Sequence, residues 1–313
     1  MASAMLQVDA VIRDRLSSQV ALINQISTYI VSAGGKRIRP RLVILCADAL
    51  GFSGPERFEL AATVEFIHTA TLLHDDVVDE SSLRRGRATS NAIFGNAASV
   101  LVGDFLYSRA FQMMVSVDRM RVLDVLADAT NVIAEGEVLQ LMNMHDPDLA
   151  VDDYLRVIRY KTAKLFEASA RLGAVLAKAD PGTEEACAGF GRSLGTAFQL
   201  IDDLLDYEGS SDALGKNVGD DLREGKPTLP LLIAMERCGE SDRGLIRSAI
   251  EHGEVERLAA IVEIVKRTGA LDATRAAAQA EADKARAALA SLPPGPARDA
   301  LVDLCVRSVN RSS

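Results

Sequence analysis

Apolar residues recur along this chain at the spacing of one helical face. Between Leu60 and Leu73 they fall at Leu60, Val64 and Ile67, a row completed by Thr71, and at Ala61, Phe66, Ala70 and Leu73 beside it. That period is close to 3.6 residues rather than 2. The stretch from Val151 to Leu176 repeats the pattern. No alternating run flanked by a hairpin turn stands out, and Asn-Gly and Asp-Gly pairs are absent. Proline placement agrees, because proline breaks helix interiors. None of the nine prolines lies between Pro55 and Pro147 or between Pro230 and Pro293, and good helix formers fill both gaps.

Breakers divide the helices. Gly34-Gly35 is expected to end a first helix, and Pro40 suits the start of a second. Gly51 to Pro55, Asp146 to Asp148 and Asp180 to Gly182 read as loops, and Tyr207 to Pro230, rich in Gly, Asp and Lys, reads as a long functional loop. Pro293-Pro294 with Gly295 and Pro296 sets off a short last helix. No linker is long or polar enough to divide two domains. The expectation is an all-α chain, one domain over residues 1–313, of about ten to twelve helices around a central cavity. The catalytic motifs lie within 34–230, with supporting helices over 241–313.

Composition narrows the class. Hydrophobic residues at 48% and charged residues at 25% give a globular balance. The net charge of −9 argues against nucleic acid as the main partner, since phosphate backbones need a basic field. Cys46, Cys187, Cys238 and Cys305 are far apart and form no C-x-x-C pair, so they read as reduced thiols. The N-terminus lacks a cationic start followed by an apolar run, and no run reaches the ~18 apolar residues of a membrane helix. A cytoplasmic protein without a signal peptide or transmembrane segment is expected.

The chemistry is concentrated in two copies of one spacing. His74-Asp75-Asp76-Val77-Val78-Asp79 and Ile201-Asp202-Asp203-Leu204-Leu205-Asp206 each set D-D-x-x-D in apolar sequence. On a helix, Asp75 and Asp79 share a face, as do Asp202 and Asp206, and like charges at that spacing repel. Beside apolar neighbours such carboxylates are costly unless compensated. Their hard oxygens suit Mg²⁺, whose remaining positions phosphate oxygens can fill. A solvated acidic helix end is the bland reading of one cluster, and it weakens for two. Cations gather as well, at Lys36, Arg37 and Arg39, at Arg84, Arg85 and Arg87, at Lys161 and Lys164, and at Lys216 and Lys226. Arginine binds phosphate bidentately and lysine as a point charge. No glycine loop of the G-x-x-x-x-G-K-[ST] type is present, which disfavours a nucleotide-hydrolysing enzyme.

Together these elements resemble the trans-polyprenyl diphosphate synthases, the head-to-tail prenyltransferases. The resemblance is carried in order by Gly34-Gly35-Lys36-Arg37-Ile38-Arg39-Pro40, Glu65-x-x-His68-Thr69, His74-Asp75-Asp76-x-x-Asp79, Arg84-Arg85-Gly86 and Lys161-Thr162. It continues through Gly195-x-x-x-Gln199-x-x-Asp202-Asp203-x-x-Asp206 and Gly215-Lys216-x-x-x-x-Asp221-x-x-x-Gly225-Lys226. Ala134 to Asn143 and Asp146-Pro147-Asp148 are most similar to the bacterial octaprenyl branch.

The resemblance implies Mg²⁺-dependent condensation of isopentenyl diphosphate onto an allylic diphosphate, with octaprenyl diphosphate for a quinone side chain as the expected product and nonaprenyl or decaprenyl as alternatives. About three Mg²⁺ ions are implied with diphosphate bound. Asp75 and Asp79, with Asp76 supporting, and Asp202, Asp203 and Asp206 would hold them. Arg84, Lys161, Gln199, Lys216 and Lys226 would hold the allylic diphosphate, with Thr162 near the reacting carbon. Lys36, Arg39, His68 and Arg85 would anchor isopentenyl diphosphate. Ala70 and Thr71, small residues one turn before the first cluster, imply an open product tunnel, with Phe111, Met114 and Leu126 as wall and floor; plain core packing is their bland reading. A homodimer and a transient membrane contact for product release are also implied, and no nucleic-acid partner.

Three rivals are weaker. A terpene cyclase usually lacks a full second D-D-x-x-D and the isopentenyl anchors. A di-iron bundle needs two E-x-x-H elements, and only Glu65-Phe66-Ile67-His68 is found. A non-catalytic partner subunit usually loses Asp or Arg from these motifs, and none is lost here.

Overall fold

The computed structural model describes residues 1–32, 34–84, 86–208 and 219–311, with Ser32 described by its backbone alone. The chain is almost entirely helical, and eleven of the described helices are twelve residues or longer. The remaining helices are short pieces that composition alone does not separate from loops.

The chain forms two compact units, one of Met1–Thr130, Leu165–Gly191 and Ala288–Val302, the other of Asn131–Lys164, Arg192–Ala287 and Asp303–Ser313. The first unit opens with α1 (Ala2–Leu16), α2 (Ala21–Ser32) and α3 (Ile38–Ala49), so two helices rather than one precede Gly34. Pro40 stands in the first turn of α3, where its missing N–H costs nothing. The centre is α4 (Glu56–Val78), whose row Leu60, Val64 and Ile67 is buried while Thr71 is half-buried; every residue from Leu60 to Ile67 is buried, so this stretch is enclosed on all sides and not on one face alone. A two-stranded hairpin, β1 (Leu83–Arg84) and β2 (Arg87–Ala88), interrupts the helices. It is too short to leave a period-2 signal. Then follow the short α5 (Ser90–Phe94), α6 (Asn96–Ser116) and α7 (Met120–Asn143). The His74 ring of α4 packs directly against Gly103 of α6, where a Cβ would stand 2.3 Å from it.

In the second unit, α8 (Val151–Ile158) runs through one π-helical turn, Arg159–Ala163, into α9 (Lys164–Leu176), which from Leu165 onward belongs to the first unit. The long α10 (Pro181–Glu208) starts at a proline read above as part of a loop. The Asp180 carboxylate accepts from the backbone N–H groups of Gly182 and Thr183 and so caps that helix. Helix also intrudes on the expected 207–230 loop: α10 runs to Glu208, α11 (Asp220–Arg223) adds one turn, and α12 begins at Leu229 (Leu229–Arg237). Ile158, Leu200, Ile201, Leu204, Leu231 and Ile250 belong to the core of this unit. Ala70, Met114 and Leu126 are fully buried in the first unit, whereas Phe111 is 41% exposed. All four cysteines are free thiols.

Candidate active site

The first aspartate cluster ends α4. Asp79 is its C-cap, with its N–H donating to the Asp75 carbonyl at 2.8 Å. A helix C-terminus already carries negative partial charge, so three carboxylates there call for a cation. Asp75 and Asp79 are half-buried, and Asp76 is 4% exposed. The hairpin brings Arg84 back so that its Nε donates to Asp76 Oδ1 at 2.6 Å. Burial pushes the Asp76 carboxyl above its ordinary range, and the Arg84 charge and hydrogen bond pull it back. The Asn91 side chain donates to the backbone carbonyls of Asp76 and Ser81, closing the loop behind the cluster. Nothing in the sequence pattern singled out Asn91.

The second cluster sits in α10 and is built differently. Asp203 is 4% exposed, and both of its oxygens are engaged. The Tyr154 hydroxyl donates to Oδ2 at 2.5 Å and Gln199 Nε2 donates to Oδ1 at 2.8 Å. Burial, then the charge of Asp221, pushes the Asp203 carboxyl up to about 7, while the two hydrogen bonds act the other way. Asp206 is fully buried and accepts the backbone N–H of Asp221 at 3.2 Å. Asp202 meets Arg311, whose Nη1 is 2.8 Å from its Oδ1. The Arg311 guanidinium also donates to the Phe198 carbonyl and lies 3.7 Å over the Phe198 ring. Tyr154 and Arg311 carried no sequence signal, since only the fold brings them to Asp203 and Asp202.

Lys161 and Thr162 occupy the π-helical turn, a local widening often found at functional positions. Lys161 Nζ is 2.6 Å from Glu137 on α7. Gly136 permits this approach: a Cβ there would stand 2.6 Å from the Lys161 backbone nitrogen. Thr162 Oγ1 donates to Gln199 Oε1 at 3.0 Å, so Thr162, Gln199, Asp203 and Tyr154 form one hydrogen-bonded chain. Lys226 pairs with Glu224 and follows Gly225, whose carbonyl accepts the His145 N–H at 2.8 Å.

In the first unit Lys36 is exposed just before α3, and Arg39, in its first turn, lies 4.5 Å over the Phe166 ring. His68 is half-buried on α4, with its carbonyl accepting the Thr71 hydroxyl at 2.9 Å. Arg85 and Lys216 lie outside the described residues. Among the described residues, no three His, Cys, Asp or Glu side chains converge into a ready-made metal cage. The donor set fits Mg²⁺ none the less: it is all oxygen, and Mg²⁺ is usually held by one or two carboxylates while phosphate and water complete its shell.

Comparison with known proteins gives one answer. A family model described as polyprenyl synthetase matches residues 20–265. The chain is 57% identical over 311 residues to the octaprenyl diphosphate synthase of Escherichia coli K12, covering 99% of this chain and 96% of that one. It is 47% identical to an all-trans-nonaprenyl-diphosphate synthase (geranyl-diphosphate specific) of Rhodobacter capsulatus, over 97% of this chain and 93% of the relative. Among solved structures, a polyprenyl synthase from Caulobacter crescentus CB15 complexed with calcium and isoprenyl diphosphate superposes with a TM-score of 0.97 at 48% identity, covering 100% of this chain and 96% of that one.

Proposed function

The chain belongs to the polyprenyl synthetase family, and on that premise we propose that it makes octaprenyl diphosphate, adding isopentenyl diphosphate repeatedly to an allylic primer such as farnesyl diphosphate. It is a prenyltransferase. The observation that carries the product assignment is the 57% identity, across nearly the whole of both chains, to a synthase of that name. A nine-unit product is the second reading, favoured by the relative from Rhodobacter capsulatus.

Asp75 and Asp79, with Asp76 supporting, and Asp202, with Asp203 and Asp206 around it, would hold about three Mg²⁺ ions together with the diphosphate, as the oxygen-only donor set supports. When bound, the metal neutralises the charge that develops on the departing pyrophosphate. Lys161, Lys226 and Gln199 hold the allylic diphosphate, with Arg84 and Lys216 as further anchors. Lys36, Arg39, His68 and Arg85 hold isopentenyl diphosphate. The allylic carbon–oxygen bond breaks with its electrons leaving on pyrophosphate. The isopentenyl double bond attacks the allylic carbon, and a proton passes to pyrophosphate. Holding both substrates at reacting distance supplies much of the rate.

The small Ala70 and Thr71 leave room for a long product. A second copy of the chain is the expected partner: α6 leaves Leu101, Phe111 and Val115 exposed on a face they share with Asp104 and Ser108. Among the described residues no helix is long and apolar enough to cross a membrane, so any membrane contact for product release would be peripheral and transient.

Incubation with farnesyl and isopentenyl diphosphates plus Mg²⁺, followed by product mass, tests the reading. Eight units are expected, nine would favour the second reading, and no elongation would defeat both. Ala70→Tyr should shorten the product to about three units by blocking the tunnel with a ring that a packed helix cannot absorb. Unchanged length would remove the tunnel assignment.

A further inference from the structure

Lys36 and Arg39 flank a residue that has been given no role. Arg37 is the N-cap of α3 and holds φ 49 and ψ 38, a left-handed conformation that side-chain-bearing residues seldom adopt. Its Nη1 is 2.6 Å from Glu65 Oε1 on α4, and the two side chains are only 14% and 11% exposed. Asp9 of α1 is a more distant partner at 3.9 Å. Ile12, Leu16, Val31 and Leu106 line the pocket beside the pair. Their apolar surface keeps water away, so the attraction is less screened than at an open surface. Glu65 stands three residues, about one turn, before His68 on the same helix.

One ion pair therefore ties together the two segments that carry the described isopentenyl diphosphate anchors. One segment is the start of α3 with Lys36 and Arg39; the other is the turn of α4 with His68. We propose that Arg37 and Glu65 are positioning residues for isopentenyl diphosphate, fixing the start of α3 against α4 so that Lys36, Arg39 and His68 converge on one diphosphate. The inference rests on the reading that this chain condenses isopentenyl diphosphate. Lys36 and Arg39 are like charges that repel as they converge on one anion, so their backbones must be held from behind. Arg37 is engaged by Glu65, so its role is to anchor and not to touch substrate. Neutralising Arg37 leaves the Glu65 charge buried without its cation, and neutralising Glu65 leaves Arg37 only the distant Asp9; in either case the start of α3 loses the contact that holds its strained backbone.

The test is steady-state kinetics of the full-length chain and its variants, with each substrate varied in turn, beside direct calorimetric binding of isopentenyl diphosphate and thermal melting. Arg37→Gln and Glu65→Gln should raise the KM for isopentenyl diphosphate about tenfold, the scale on which small misplacements act. Its Kd should rise in step, while kcat and the KM for farnesyl diphosphate stay within about twofold. The charge-exchanged double variant, Arg37→Glu with Glu65→Arg, should recover the isopentenyl KM to within about threefold of wild type. Equal rises in both KM values, or a lowered melting temperature with an unchanged isopentenyl KM, would overturn the proposal and leave a structural pair. If the glutamine variants do not fold, Glu65→Asp decides, since it keeps the charge but shortens its reach. A selective rise of about threefold supports positioning, and no selective rise overturns it. A wild-type chain that consumes no isopentenyl diphosphate defeats the functional reading itself; wild-type turnover with unaltered variants defeats only the inference.

Discussion

The two aspartate clusters share one spelling and differ in almost everything around it. The first closes a helix at its C-terminus, and the second lies in the last two turns of a longer one, two residues short of its end. In both, the second aspartate is buried, Asp76 and Asp203 each being 4% exposed, and in the second cluster Asp206 is fully buried as well. Asp76 is balanced by a cation, the Arg84 guanidinium at 2.6 Å. Among the described residues Asp203 has only neutral donors, Tyr154 and Gln199, and it stands among Asp202 and Asp221, which help to hold its carboxyl near 7. A sequence pattern fixes which carboxylates share a face. The fold decides which of them is spent on internal bonds and how its charge is met.

The largest expected effects test the part the clusters share. Asp75→Ala and Asp202→Ala should each lower turnover about a thousandfold or more, because each removes a metal ligand. The melting temperature should change little in the first and fall in the second, which leaves the Arg311 side chain, only 10% exposed, without its carboxylate. Near wild-type turnover in either variant would break the parallel. The next effect tests the difference. With chelator present and above pH 7, Asp203→Asn should raise the melting temperature, by relieving a buried charge. Asp76→Asn should lower it, by leaving Arg84 without its carboxylate. Shifts of the same sign would dissolve the contrast.

The same contrast has a pH signature. The folded-state value for Asp203, about 7, exceeds the ordinary 3.8, so the folded chain holds a proton that the unfolded chain has released. The metal-free wild type should therefore lose stability as pH rises from about 4 to about 7, while Asp203→Asn lacks this component. Parallel melting curves across that window would remove the assignment. The smallest effect is expected from Tyr154→Phe, which deletes one donor to a buried carboxylate. A loss of about 1–3 kcal/mol in chemical denaturation is expected, larger above pH 7 than below pH 5, where the carboxyl is protonated.

Much of this was legible before the fold was known, and what was missed was missed for definite reasons. The 3.6-residue period from Leu60 to Leu73 predicted α4, although Leu60–Ile67 is buried on every side, which a one-face pattern does not foresee. The clusters stood out because acids in apolar sequence require explanation. Pro181 read as a breaker because the same residue serves helix starts and loops, and only the Asp180 cap separates the two. The hairpin at Leu83–Ala88 is too short to show a period. Tyr154 approaches Asp203 across 49 positions, and Arg311 reaches Asp202 from the last described residue, separations at which spacing carries no information.

The π-helical turn at Arg159–Ala163 has a consequence for how this gene can change. Such a turn accommodates one residue more than the surrounding helix needs. Losing a single codon there would restore regular winding and leave the helices on either side in register, so Tyr154 would keep its place beside Asp203. The same loss from the regular helix nearby would rotate everything upstream by about 100°. What the deletion would change is the turn itself, which sets the positions of Lys161 and Thr162. In a library of in-frame deletions, loss of one residue from positions 159–163 should therefore cost less stability than loss of one from α8 or α9, and should lower turnover instead.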